Sequence, residues 1–174
     1  MGLVALALLV ATPPSPHLVE GWGGKVSAAL GLALFFLGVL GRLWATQHIG
    51  GRKSATLVDS GPYSLCRHPL YLFSLSLFLG LGLRGGNLYF LALLALYFPI
   101  QYIAAVKAEE AALSDSFGES HRAYRGRVPL VWPSGSWDPG VSRSPPVRVM
   151  GREARGMALA FLALLLLDHL AGRL

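Results

Sequence analysis

The chain has 174 residues, of which 53% are hydrophobic and 14% charged, and its net charge is +6. A soluble domain carries about 25% charged residues, so this composition excludes an ordinary soluble enzyme and points to lipid, at a length that suits one compact unit. The single cysteine, Cys66, excludes an internal disulfide and a cysteine-rich metal centre. The basic excess has a simpler source in membrane topology than in nucleic acid.

Leu3–Ala11 is apolar but short against the roughly 20 residues that a span requires, so it reads as a short or half-inserted first membrane helix. It has no leading Lys or Arg, and Pro13-Pro14 ends it, which is not the pattern of a cleavable secretory signal. Pro13–Gly24 reads as a loop. Val26–Trp44 is a second span, with Arg42 near enough to its end to snorkel. Gln47–Ser60 is a polar loop containing Gly50-Gly51-Arg52-Lys53. Pro69–Leu83 and Leu88–Val106 are the third and fourth apolar runs. The tight turn Arg84-Gly85-Gly86-Asn87 joins them into a helical hairpin. Lys107–Trp132 is polar and helical in its first half, and Pro133–Pro146 is irregular. Met157–Gly172 is a last, short apolar run. The expected fold is all-α: a polytopic membrane bundle of about five membrane helices, with a motif core over 57–133, an extra C-terminal membrane helix over about 157–172, and one functional domain over 1–174.

Basic residues orient this bundle. Arg42, Arg52, Lys53, Arg67, Lys107, Arg122, Arg125, Arg127, Arg143, Arg148, Arg152 and Arg155 fall on one side; Lys25, Arg84 and Arg173 fall on the other. The richer side is expected to face the cytoplasm. That face holds both polar stretches that look functional.

The first of these is Gly61-Pro62-Tyr63-Ser64-Leu65-Cys66-Arg67-His68-Pro69-Leu70-Tyr71. Gly61-Pro62 breaks the preceding structure. Pro69 disfavours the α region at His68 and suits the first turn of the next helix. Arg67 and His68 therefore sit at a helix N-terminus, at the lip of a membrane span, where such residues are costly unless they serve something. The second stretch extends the fourth helix. Val106, Glu110, Leu113 and Phe117 share one face, Glu109 is offset by about 100°, and Gly118 reads as the helix stop. Arg122, Tyr124, Arg125 and Arg127 then lead into the Pro-bracketed patch Val128–Pro133. Each residue has a plainer reading: Arg67 as a topological anchor, Tyr63 and Tyr71 as interfacial belt residues, Glu109 and Glu110 as a solvated helix end, Arg122–Arg127 as headgroup contacts. His121, Asp168 and His169 read as structural or surface residues.

Taken together, Gly61-Pro62-Tyr63, Arg67-His68-Pro69 and Tyr71, then Glu109-Glu110, Phe117-Gly118, Tyr124 and Val128-Pro129 resemble the isoprenylcysteine carboxyl methyltransferase family. Bacterial and archaeal integral membrane enzymes belong to that family, which is similar to phospholipid N-methyltransferases. The resemblance implies an S-adenosylmethionine-dependent methyltransferase in a bacterial-type inner membrane. Its cofactor pocket would be cytoplasmic, its acceptor a lipophilic molecule from the bilayer (a prenylcysteine-like carboxylate, an isoprenoid or a phospholipid amine), and no nucleic acid or metal would take part. By position it makes Tyr63, His68, Pro69, Tyr71, Glu110, Tyr124 and Pro129 cofactor-binding, and Glu109 and Arg67 catalytic.

The residue types suit that chemistry: a carboxylate for an ammonium, an arginine for a carboxylate, and aromatic rings for a sulfonium. Methyl transfer needs alignment above all. Ala105 stands one turn before Glu109, where prenylcysteine enzymes place an arginine, and His121 replaces an aromatic residue. Both departures weigh against a prenylcysteine carboxylate. Two rival readings are an NADPH-dependent sterol-type reductase, against which Leu72-Phe73 after the Arg-His-Pro-x-Tyr motif argues, and a non-enzymatic membrane protein on the same scaffold.

Overall fold

The computed structural model describes residues 20–49, 56–140 and 147–170. The expected first membrane helix, the Gly50–Lys53 loop and residues 171–172 lie outside them. Every regular element among the described residues is helical: α1 (Gly21–Ile49), the single turn α2 (Pro62–Leu65), α3 (Pro69–Arg84), α4 (Leu88–Arg127) and α5 (Val147–Leu170). Two compact units divide the chain, and the long helices contribute to both. One comprises residues 1–39, 74–99 and 154–174, the other residues 40–73 and 100–153.

The first unit is built on apolar side chains and close backbones. Phe35, Leu77, Leu81, Phe90, Ala163, Leu164 and Leu167 form its core. Glycines let α1 and α3 approach. A Cβ on Gly31 would lie 2.5 Å from the Arg84 nitrogen, and one on Gly38 2.5 Å from the Leu77 nitrogen. Small residues play this part wherever helices pack without a hydrophobic driving force. The Ser27 hydroxyl donates to the Leu83 carbonyl at 3.1 Å and the Ser76 hydroxyl to the Leu34 carbonyl at 2.9 Å. Arg84 and Asp168 form a forked pair, with Nε–Oδ1 at 2.7 Å and an Nη–Oδ2 contact at 3.0 Å. Asp168 is thus structural, as its sequence context suggests.

The α3–α4 turn follows the predicted hairpin. Gly86 takes φ 61°, which glycine adopts without cost. The Asn87 N–H donates to the Gly82 carbonyl and the Gly86 N–H to the Leu83 carbonyl, which closes α3 as a Schellman motif. The Asn87 side chain then opens α4 by accepting from the Phe90 N–H at 2.8 Å.

Among the described residues, α1 and α4 are the two helices long and apolar enough to cross a membrane. Their outer faces carry exposed Val26, Leu30, Leu37 and Leu40, and Leu93, Leu96, Ile100 and Ile103. Only 33% of the apolar window of α1 and 11% of that of α4 is buried, so neither is a core helix of the kind a soluble protein hides. Of the about five membrane helices expected, two of that length and composition are found among the described residues. At 16 residues, α3 is about 24 Å long, short of a hydrocarbon core of about 30 Å. The helix α5 begins at Val147, ten positions before the apolar run that signals it. Its polar first turns pair Glu153 with Arg42 at 2.9 Å within the second unit.

Candidate active site

The second unit gathers both polar stretches. Tyr63, Ala45 and Val58 make its small apolar core, with Ile49, Leu70 and Phe73 against it. The turn α2 is held from two sides. The Ser64 hydroxyl donates to the Gly61 carbonyl at 2.8 Å and accepts from the Asp138 N–H at 3.0 Å. The Gly61 N–H donates to the Asp138 carbonyl at 2.6 Å, the Gly135 N–H to the Leu65 carbonyl at 3.0 Å, and the Arg67 N–H to the Pro129 carbonyl at 2.9 Å. Residues 129–138 thus strap the turn that presents Arg67 and His68.

At the centre lies Glu110, only 14% exposed. Its Oε2 pairs with the Arg67 guanidinium and lies 3.3 Å from Arg125 Nε. Its Oε1 lies 2.9 Å from His68 Nε2 and 3.9 Å from His121 Nε2. His68 is itself buried between the two glutamates, with Nδ1 3.4 Å from Glu109 Oε2. The Tyr71 hydroxyl also donates to Glu109. Two basic groups and two imidazoles thus converge on one carboxylate. That arrangement offsets the cost of burying charge here and fixes the Arg67 and His68 side chains.

Beside this cluster is a cavity of about 150 Å³. Tyr63, Arg67, Glu109 and Tyr124, with Thr56 and Ser116, supply its polar wall; Ile49, Val58, Leu113 and Phe117 supply much of the apolar one. Two buried donors of residues that line it, the Tyr63 hydroxyl and Arg67 Nε, have no hydrogen-bond partner among the described residues. Unsatisfied buried donors are costly and rare. Burial, with the Glu109 charge adding to it, pushes the Tyr63 phenol well above its ordinary range and keeps it a donor.

The structure therefore separates the residues singled out in the sequence. Tyr63, Arg67, Glu109 and Tyr124 line the cavity. His68 and Glu110 stand behind them. Pro69 is fully buried at the start of α3, and Tyr71 packs edge-on against Tyr102 with ring centroids 5.5 Å apart. Pro129 acts through its carbonyl on Arg67. Tyr124 also braces the turn, since its hydroxyl donates to the Tyr63 carbonyl at 2.8 Å.

Gly118 breaks the helical geometry where the sequence places a stop: at φ 47° and ψ −113° it separates the long helix from a second, short helical stretch that runs to Arg127. That second stretch is what the sequence reading did not assign. Of the two readings of His121, structural or surface, the structure supports the structural one: it is buried and faces Glu110. The signal for it was present, since His121, Tyr124, Arg125 and Val128 fall at i, i+3, i+4 and i+7 on one helical face. Within Val128–Pro133, Val128 is buried but Val131 and Trp132 point away into the surroundings.

A model of the phospholipid methyltransferase family matches residues 26–120, more than half of the chain. The chain is 45% identical over 116 residues to the cobalt-zinc-cadmium resistance protein CzcN of Cupriavidus metallidurans, an alignment covering 64% of this chain and 53% of that protein. It is 43% identical over 112 residues to the nickel-cobalt-cadmium resistance protein NccN of Alcaligenes xylosoxydans xylosoxydans, covering 62% and 52%. The chain spans about half the length of these curated relatives. No solved structure matches it.

Proposed function

The chain belongs to the phospholipid methyltransferase family, and on that premise we propose that it is an integral membrane methyltransferase using S-adenosylmethionine to methylate a lipophilic acceptor. The whole chain acts as one functional domain of a polytopic bundle, and its basic face, with the cavity, is cytoplasmic. The isoprenylcysteine-type motif pairing remains the finer resemblance.

The observation that carries this reading is the polar wall of the cavity. It combines the Glu109 carboxylate with the Tyr63 phenol and the Arg67 guanidinium. A carboxylate beside paired donors suits an amino-acid zwitterion: Glu109 for its ammonium, Arg67 and Tyr63 for its carboxylate. The bound cofactor supplies an electrophilic methyl group on a sulfonium. Small-molecule pockets usually measure roughly 300–1,000 Å³. A cavity of about 150 Å³ therefore matches the charged end of the cofactor rather than the whole. Glu110, held by the pairs to Arg67 and Arg125, serves here as the post that fixes Arg67 and His68.

The test is isotopic. Membranes containing the protein are incubated with a donor bearing a deuterated methyl group, and lipids and quinones are analysed by mass spectrometry. A labelled lipid absent from Glu109→Gln membranes is the expected result. Titration of purified protein should show binding of S-adenosylhomocysteine and none of NADPH; the reverse would favour the reductase. Absence of labelled product together with absence of binding would favour the non-enzymatic reading.

A second reading concerns cellular role and is motivated by the names of both relatives. Methylation by this protein contributes to tolerance of divalent transition metals. A deletion strain should then lose tolerance to cobalt, zinc or cadmium, and the Glu109→Gln gene should fail to restore it.

A further inference from the structure

The strap over residues 129–138 does more than hold the α2 turn. Its two ends are pinned by backbone bonds, Pro129 to Arg67 at the start and Gly135 and Asp138 to Leu65 and Gly61 at the end. A Cβ on Gly135 would strike the Ser64 carbonyl, so the strap sits directly on the turn. Between the pins the chain doubles back, with the Ser134 N–H donating to the Trp132 carbonyl at 2.8 Å. This fixed loop holds its largest apolar side chain outward: Trp132 is 76% exposed, with Val131 beside it also exposed. Trp137 is also exposed, at 53%, but one side of it lies against Trp44 with ring centroids 5.7 Å apart.

An exposed indole on a tethered loop is unfavourable in water and favourable at a lipid interface, where its apolar body and N–H meet matching surroundings. The helix leading into the strap adds charge. Within residues 119–127, Arg122, Arg125 and Arg127 stand against one acidic residue, Glu119. Arg122 and Arg127 remain 81% and 64% exposed despite surface pairs to Glu119 and Asp59. Such pairs contribute little in water, which leaves both guanidinium groups available to lipid phosphates.

We propose that the Trp132 loop, with Arg122 and Arg127, is an interfacial anchor that seats in an anionic phospholipid headgroup layer. Its occupant is the leaflet of the same membrane, not a protein partner. Because the Pro129 carbonyl holds the Arg67 backbone, the anchor also sets the depth of the cavity wall at the boundary from which a lipophilic acceptor would enter. The anchor itself stands independently of the methyltransferase reading.

The full chain, reconstituted in nanodiscs, tests this by tryptophan fluorescence. The discs contain phosphatidylcholine or phosphatidylglycerol brominated on the acyl chains near the headgroup. Subtracting the emission of Trp132→Phe from that of the wild type isolates Trp132 among the four tryptophans. That component should be quenched at least twofold by brominated lipid, and more by brominated phosphatidylglycerol than by brominated phosphatidylcholine. Arg122→Gln/Arg127→Gln, both at exposed positions, should remove the preference for phosphatidylglycerol while leaving the helical circular dichroism unchanged. Quenching of the Trp132 component by aqueous iodide but not by brominated lipid would overturn the anchor. Equal quenching by the two lipids would overturn its anionic assignment.

Discussion

The two units use charge in opposite ways. In the first, one carboxylate meets one guanidinium: Asp168 forks with Arg84 amid glycine-packed apolar helices. In the second, Glu110 gathers Arg67, Arg125, His68 and His121, and Tyr63 Oη and Arg67 Nε, of residues lining the cavity, have no partner among the described residues. The first arrangement is complete in itself and holds helices together. The second crowds two guanidinium groups and two imidazoles around one carboxylate.

Substitutions can separate the two. The largest effect is expected for Glu110→Ala, which removes the carboxylate paired with the largely buried Arg67 and His68. Removing one partner of a buried pair costs about 3–5 kcal/mol, so this variant should lose both thermal stability and S-adenosylhomocysteine binding. Asp168→Ala should cost about 3 kcal/mol by the same mechanism, read as a lower melting temperature in detergent, with ligand affinity kept within threefold. Equal damage to binding would break the comparison. Gly80→Ala should cost about 1–3 kcal/mol by overpacking, because a Cβ there strikes the backbone nitrogen of Phe35. Its binding should likewise be unchanged. The smallest effect concerns Cys66. Burial pushes its thiol pKa up to about 11, so at neutral pH it stays a protonated, shielded thiol. N-ethylmaleimide should label it in denaturant and not in the native protein, and labelling should remain absent up to pH 9.

The parts of this molecule written in apolar runs were legible from sequence. The core of α1, the α3–α4 hairpin and the Arg84–Asn87 turn all follow from composition and turn chemistry. The meeting of Arg67-His68 with Glu109-Glu110 was legible from motif and topology. Composition was silent where helices leave lipid: α5 begins at Val147 among arginines and glycines, and its Glu153–Arg42 pair has no sequence signature. The helical-face pattern placed Glu110 inward and Glu109 about 100° away. In the folded unit Glu110 is taken up by ion pairs while Glu109, 32% exposed, lines the cavity. His121 stayed between structural and surface because no helix was assigned past the Gly118 stop, whereas a second helical stretch there turns it inward.

The central claim is that Glu109 and Arg67 face a cofactor while Glu110 and Asp168 hold structure. Calorimetric titration of S-adenosylhomocysteine into the wild type and Glu109→Gln, with melting temperatures recorded on the same samples, tests it most directly. The account predicts an affinity loss of tenfold or more, about 1.4 kcal/mol, with the melting temperature within about two degrees of the wild type, since a partly exposed carboxylate contributes little to folding. Unchanged affinity in Glu109→Gln, or no binding to the wild type at all, would contradict it.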